Sequence, residues 1–336
     1  MTQLTAAIIG CGDRGHEHAK GYAASPDVQI VAAVDPKPEA RRSMREKFGV
    51  PNLYPDHPAL FAAHKPDILS VCTWPGLHAQ QVIDAARAGG VRAIHCEKPM
   101  APTWGESQRM HRACQEAGVQ LTFCHQRRFG AHFEKARELA QEGAIGEITR
   151  LEGYCSNLFD WGTHWFDMFF FYNGETPAEW VLGQIDTSSV RRVFGVPVET
   201  SGLAHVRFAN GVHGLLFTGP DQDATCSNRI VGTKGIIEVE VRNGPPVRLR
   251  RDAAAGWEEP ALPRKAHGDT ILSILDAIDC VQTGRKPRLG SENAIRATEL
   301  IFATYESARR RGRVALPLEI EDSPLLSLLN MDVVNA

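Results

Sequence analysis

Residues 4–15, LTAAIIGCGDRG, constrain this chain of 336 residues more than any other stretch. An apolar run ends in Gly10-Cys11-Gly12-Asp13-Arg14-Gly15, and a helical pattern follows to about Ala24. G-x-G-x-x-G between a strand and a helix is a dinucleotide-binding turn. The first glycine makes the turn, the second lets backbone approach a pyrophosphate, and the third lets helix and strand pack closely. The helix N-terminus supplies N–H donors and partial positive charge to the anion. A second strand, Val28–Val34, ends at Asp35, 20 residues past Gly15. A carboxylate there accepts from the adenosine ribose hydroxyls and repels a 2′-phosphate. NAD is therefore favoured, and Lys37, Arg41 and Arg42 close behind keep NADP open. His16 and His18 have no carboxylate or cysteine cluster beside them, so they read as packed or solvated rather than as metal ligands.

The βα alternation continues. Strands are expected at Pro66–Thr73, Arg92–Cys96 and Val119–Cys124, and helices at Leu77–Ala88 and Glu106–Ala117. That alternation predicts a doubly wound parallel sheet. Arg92–Pro102, RAIHCEKPMAP, delivers Glu97-Lys98-Pro99 to the carboxyl end of a buried strand, where such sheets bind ligands. Proline after Lys98 keeps that residue extended. Thr73 and Trp74 close the preceding strand. His78 opens the next helix, where it either lines the cofactor site or acts as a structural cap.

After Gln126-Arg127-Arg128-Phe129 the grammar changes. A helix over Ala131–Gln141 leads to a strand at Glu147–Ser156. Strands then dominate: Val181–Asp186, Leu203–Ala209, Val212–Thr218, Arg229–Val231, Ile236–Val241 and Val247–Arg250. Asn210-Gly211 is a strong hairpin signal and Lys234-Gly235 a weaker one. Strands without crossovers predict a largely antiparallel sheet. Helices at Thr270–Gln282 and Asn293–Arg311 complete an α+β domain. We divide the chain into a dinucleotide-binding domain, 1–125, and a substrate domain, 126–336.

In Leu158–Tyr172, LFDWGTHWFDMFFFY, Asp160, His164 and Asp167 fall on one face of an otherwise apolar helix. Burying three ionisable groups is costly without partners. His164 reads as a general base oriented by Asp160, with the Lys98 ammonium stabilising an alkoxide. A metal site, which a nearby lysine disfavours, and a structural network are the alternatives. Trp161 and Trp165, with Asn157, are candidates to stack on and hydrogen-bond a sugar ring.

Net charge is −3 without a basic block, which argues against nucleic acid. No apolar run reaches the roughly 18–20 residues of a membrane span. The first residues lack a basic leader, and eight cysteines show no disulfide-framework spacing, so a cytoplasmic protein is expected.

The motifs GCGDRG with Asp35, TWPGLHAQQVIDAARAG, CEKPMA, RRF before EGAIGEI, DWGTHWFD, VGTKGIIEV and LDAIDCVQTGRKPRL…ESARRRGRV run in order along nearly the whole chain. Together they resemble the glucose–fructose oxidoreductase / inositol dehydrogenase / MocA-like (Gfo/Idh/MocA) family. The resemblance implies a Rossmann domain plus an open-faced, mostly antiparallel α/β domain. It implies hydride transfer between NAD(P) and a secondary hydroxyl of a sugar, sugar derivative or cyclitol. Lys98, Asp160 and His164 would form the catalytic set, with Lys98 touching nicotinamide and substrate. Gly10, Gly12, Asp13, Arg14, Gly15, Asp35, Thr73, Trp74, His78, Glu97 and Lys98 would face the cofactor. Arg127, Asn157, Asp160, Trp161 and His164, with Lys98, would face the substrate, and no metal is expected. The exposed sheet face would make a homodimer or homotetramer. TWPG stands where T-P-N is commoner, which places Trp74 at the nicotinamide wall. A redox-neutral enzyme with tightly held NAD and a non-catalytic sensor are the rival functions.

Overall fold

The computed structural model describes residues 3–189, 191–220 and 225–331. The first elements are β1 (Leu4–Ile9), α1 (Asp13–Ala23), β2 (Val28–Val34), α2 (Pro38–Phe48), β3 (Asn52–Tyr54) and α3 (His57–Ala63). Next come β4 (Ile68–Val71), α4 (Pro75–Ala88), β5 (Ala93–Cys96), α5 (Trp104–Glu116), β6 (Gln120–Phe123), α6 (Ala131–Gln141) and β7 (Ile148–Cys155). They are followed by α7 (Thr163–Tyr172), β8 (Ala178–Asp186), β9 (Arg191–Val193), β10 (Val196–Val198), β11 (Ser201–Phe208) and β12 (His213–Thr218). The rest are β13 (Cys226–Gly232), β14 (Ile236–Val241), β15 (Val247–Arg250), α8 (Asp269–Thr283), α9 (Ser291–Arg310), β16 (Val314–Ala315) and α10 (Pro324–Leu328). Sequence reasoning missed α2, β3 and α3, and later the short β9, β10, β16 and α10. Only Met44 of α2 is buried and β3 has three residues, so neither carries much apolar periodicity.

The described residues form two compact units, 3–126 with 267–295, and 127–266 with 296–331. The whole tail was expected in the second domain, yet 267–295 packs in the first unit. Its reason is close helix contact: a Cβ on Gly21 of α1 would lie 2.5 Å from Ile274 Cδ1 of α8. Phe123 N donates to Leu289 O, and the Gln120 side chain donates to Ala277 O.

In the first unit six parallel strands run in the order β3-β2-β1-β4-β5-β6. Ile9 pairs with Val34 and with Val71, Val71 with Cys96, and Cys96 with Phe123. The strands therefore stop together, and Gly10, Asp35, Cys72, Glu97 and Cys124 emerge along one carboxyl edge. Strand order reverses between β1 and β4, where ligands of such sheets bind. Helices cover both faces. Val71, Val82, Ile94, Met110 and Phe123 are buried on one, and Ile8, Tyr22, Ile30, Met44 and Ile274 on the other. Burial on both faces explains why these strands read as unbroken apolar runs.

In the second unit eight strands run β15-β14-β13-β7-β12-β11-β8-β16, antiparallel except for β7 beside β12. The Asn210-Gly211 and Lys234-Gly235 turns join β11 to β12 and β13 to β14 as the sequence predicts. Leu151, Val206, Leu216, Ile230, Ile237 and Val239 are fully buried, together with Phe166 and Phe169 of α7. Leu182 and Leu203, on neighbouring strands, remain exposed. Among the described residues, no helix is long and apolar enough to cross a membrane.

Candidate functional site

In the first unit the glycine turn has the shape its sequence demands. Gly10 sits at φ +92°, and a Cβ there would lie 2.6 Å from Cys72 O. A Cβ on Gly15 would lie 2.0 Å from Gly10 O, so helix and turn touch backbone to backbone. Around Gly12 no atom lies within 4 Å of the same position, which leaves the N-terminus of α1 open. Asp35 Oδ2 accepts from Cys11 N at 2.9 Å and Oδ1 from Lys37 N at 2.9 Å, so the turn itself aims the carboxylate. Arg41 donates to the Asp35 and Pro36 carbonyls and is committed to backbone. A bare glycine at a helix N-terminus and a fixed acid at the end of β2 fit a dinucleotide.

Glu97 ends β5 and is buried. Its Oε1 accepts from Arg14 Nε at 2.6 Å and lies 3.1 Å from His18 Nε2. Burial works to raise the Glu97 carboxyl, but His18 and the Arg14 guanidinium outweigh it and hold it well below the usual range. The chain continues inward, His18 Nδ1 to Ser70 Oγ at 2.9 Å and Tyr22 OH to Ser70 Oγ at 2.7 Å. Arg14 and Glu97, expected at the cofactor, thus form an ion pair. Lys98 follows, partly exposed, its N–H on Glu97 Oε2 at 3.3 Å, and the Lys98–Pro99 peptide is cis.

His78 is fully buried, with Nε2 3.0 Å from Thr73 O and Nδ1 3.0 Å from Pro99 O. Burial lowers its pKa. It braces the Thr73 turn against the turn after Lys98, so its place is that of a structural cap. Thr73 Oγ1 donates to Gln81, and Trp74 is 53% exposed. Among the described residues, one group of three metal-type side chains gathers: His18, His95 and Cys124. Glu97 and Ser70 engage the His18 nitrogens, and an Arg14 nitrogen lies 3.5 Å from Cys124 Sγ. A cation beside the sulfur is poor company for a metal ion.

The second unit places Asp160 and His164 on one irregular helix. Asn157 caps it, accepting Asp160 N at 2.7 Å. Leu158–Gly162 then forms a π-helical turn, with Gly162 N bonded to Asn157 O, before α7 begins at Thr163. Such turns widen a helix locally and recur at functional sites. Asp160 is 8% and His164 4% exposed. Asn157, expected at the substrate, spends its side-chain oxygen on the cap. Asp167, three residues after His164 in α7, is fully buried and receives Arg128 Nε and Nη2 at 2.8 Å each. Glu175 takes the remaining Arg128 nitrogen at 2.6 Å.

Arg127, Trp161 and His164 do come together. The Arg127 guanidinium lies 5.3 Å from the Trp161 ring centre and 4.7 Å from that of Trp165, and Trp161 meets His164 edge-on at 6.3 Å. Trp161 is 40% exposed, so a ring face is available. Two acids escaped sequence reasoning. Glu199, fully buried, accepts Leu158 N at 2.6 Å, Thr218 Oγ1 at 2.9 Å and Tyr305 OH at 2.7 Å, which pins the start of the π-turn. Glu240 accepts Arg127 Nη1 at 2.8 Å. Neither has a local signal, because the partners lie 19 to 113 residues away.

Comparison with known proteins agrees with this anatomy. Residues 4–125 match the model of an oxidoreductase family with an NAD-binding Rossmann fold, and 155–238 match the GFO/IDH/MocA C-terminal domain. Over 328 residues the chain is 31% identical to a myo-inositol 2-dehydrogenase of Thermotoga maritima, covering 92% of this chain and 97% of that one. It is 24% identical to a D-apiose dehydrogenase of Paraburkholderia graminis, over 97% of this chain and 93% of the relative. Among solved structures, an aldose–aldose oxidoreductase of Caulobacter crescentus superposes with a TM-score of 0.77 at 22% identity, over 94% of this chain and all of the other, and shares the fold. The chain belongs to the Gfo/Idh/MocA family of NAD-binding oxidoreductases.

Proposed function

We propose that this protein is an NAD-dependent dehydrogenase acting on a secondary hydroxyl of a sugar, sugar derivative or cyclitol. The observation that carries the reading is the pairing, in a family of sugar and cyclitol dehydrogenases, of an open glycine turn with a lysine at the carboxyl edge of the same sheet. Gly10, Gly12, Asp13, Arg14 and Gly15 would hold the pyrophosphate, and Asp35 the ribose. Thr73, Trp74 and Glu97 would line the nicotinamide end, with His78 bracing it. Arg41, tied to backbone, leaves one fewer cation for a 2′-phosphate, which favours NAD over NADP. When bound, the nicotinamide supplies hydride acceptance.

His164 accepts the hydroxyl proton, and Asp160, one turn earlier on the same helix, fixes the imidazole and steadies its charged form. Lys98 stabilises negative charge developing on the substrate oxygen. Arg127 and Trp161 contact the sugar, and Asn157 acts through Asp160. Exposed Leu182 and Leu203 support a homodimer or homotetramer built on the open sheet. Eight cysteines without a disulfide support a cytoplasmic setting.

The test is absorbance at 340 nm with NAD+ or NADP+ and a panel of myo-inositol, D-apiose, D-xylose and alkyl glucosides. Reduction of NAD+ by at least one member is expected, and Lys98→Met should lower turnover by about 10²–10³ with NADH affinity nearly unchanged. Tight NAD without net NADH release would favour a redox-neutral enzyme. A Lys98→Met enzyme within a few-fold of wild type would remove the lysine from the mechanism.

A further inference from the structure

Glu240 occupies a backbone conformation that its neighbours in β14 do not share. Its φ is +52°, a left-handed value that glutamate rarely adopts. The β13–β14 ladder pairs Val231 with Ile236 through Asn228 with Val239 and resumes at Cys226 with Val241, omitting Ser227 and Glu240. Register is kept, so no residue has been inserted; one residue has been turned. Strict alternation would send Glu240 to the face of Glu238, whose carboxylate meets Arg229 and Arg248. Instead it meets Arg127 Nη1 at 2.8 Å and lies 3.6 Å from His132 Nε2, near the N-terminus of α6. Burial works to raise this carboxyl, but His132 and the Arg127 charge outweigh it and bring it down to about 2. An observed strained residue invites a functional account, since strain persists only where surroundings enforce it.

Resting on the assignment of Arg127 and Trp161 to the substrate, we infer that Glu240 is the positioning residue of the sugar site. It pins the Arg127 guanidinium over Trp161 and Trp165, with Nε buried, so that the outer Nη2, not a wandering side chain, meets the substrate. The turned backbone is what brings the carboxylate to Arg127. A planar, stacked guanidinium held at one nitrogen has its remaining donors fixed in direction, which suits the paired hydroxyls of a sugar or cyclitol. Prior ordering of this kind lowers the cost of binding without touching the reacting atoms.

Glu240→Gln keeps size and shape and removes the charge. With saturating NAD+ and myo-inositol, its KM for the polyol should rise roughly 10-fold, the scale of one charged hydrogen bond, while kcat changes less than about 3-fold. KM for NAD+ should stay put, and Glu240→Asp, which retains charge and tolerates the left-handed region, should recover most of the loss. Combining Glu240→Gln with Arg127→Gln should add little beyond Arg127→Gln alone. An unchanged polyol KM in Glu240→Gln, or an equal rise in KM for NAD+, overturns the inference. If wild-type enzyme turns over no member of the panel, the sugar reading fails and this one is decided on ligand-free protein. There, release of Arg127 from the rings should shift tryptophan emission in Glu240→Gln, and an unchanged spectrum overturns it.

Discussion

At the scale of single residues, the glycine turn separates what folding needs from what binding needs. Gly15→Ala drives a methyl into the Gly10 carbonyl and should cost about 1–3 kcal/mol or more, read as a lower urea midpoint. Gly12→Ala meets nothing in the protein and should hold stability within about 1 kcal/mol. It should still weaken NADH binding about 10-fold in a fluorescence titration, because the methyl occupies the approach to the pyrophosphate. The order of effects, stability for one and affinity for the other, is the check. Such residues are legible in sequence because the turn is local: all its parts lie within six positions. Glu240 and Glu199 are illegible for the opposite reason. I-E-V-E-V (237–241) reads as a strand with a wet face, and nothing nearby announces that one glutamate turns back to an arginine 113 residues earlier.

At the scale of elements, periodicity located the longer strands and helices that carry a buried face, missed short ones such as α3, β10 and α10, and failed where geometry departs from 3.6 residues per turn. Leu158–Tyr172 reads as one helix, whereas its first five residues wind as a π-turn. That extra width changes the angle between Asp160, inside the π-turn, and His164 and Asp167, which follow in regular α7. Two substitutions should separate the segment's roles. Arg128→Met leaves a fully buried carboxylate without its main cation and should destabilise the protein by about 3–5 kcal/mol. Asn157→Ala removes a cap and should cost only about 1 kcal/mol, while lowering kcat through a displaced Asp160. Thermal unfolding beside steady-state kinetics reads both. Equal kinetic losses in the two variants at matched folded fraction would contradict the assignment.

At the scale of the whole molecule, buried imidazoles set the acid limit. His95 is enclosed in the first unit with Nδ1 on Thr122 Oγ1 at 2.8 Å, and burial first, then His18, brings its pKa down to about 3. Unfolding returns it to its ordinary value near 6.5, so the unfolded chain binds the extra proton. Stability contributed by the neutral ring is therefore complete above about pH 6.5 and is lost as pH falls toward 3, at up to about 1.4 kcal/mol per pH unit. His78 adds to the same slope. Urea midpoints measured from pH 7 to 4 should fall, and His95→Asn should flatten the decline; an unaltered slope would show that His95 does not control it. The return of α8 onto α1 has a temporal consequence. A ribosome that has released all of β1 to β6 has still not released the helix whose Ile274 fits over Gly21. The amino-terminal half must therefore wait, with one flank of α1 uncovered, while some 150 further residues are translated. Cutting the gene after codon 126 would strand that flank permanently, so these two lobes are not cassettes that recombination can exchange at a single junction.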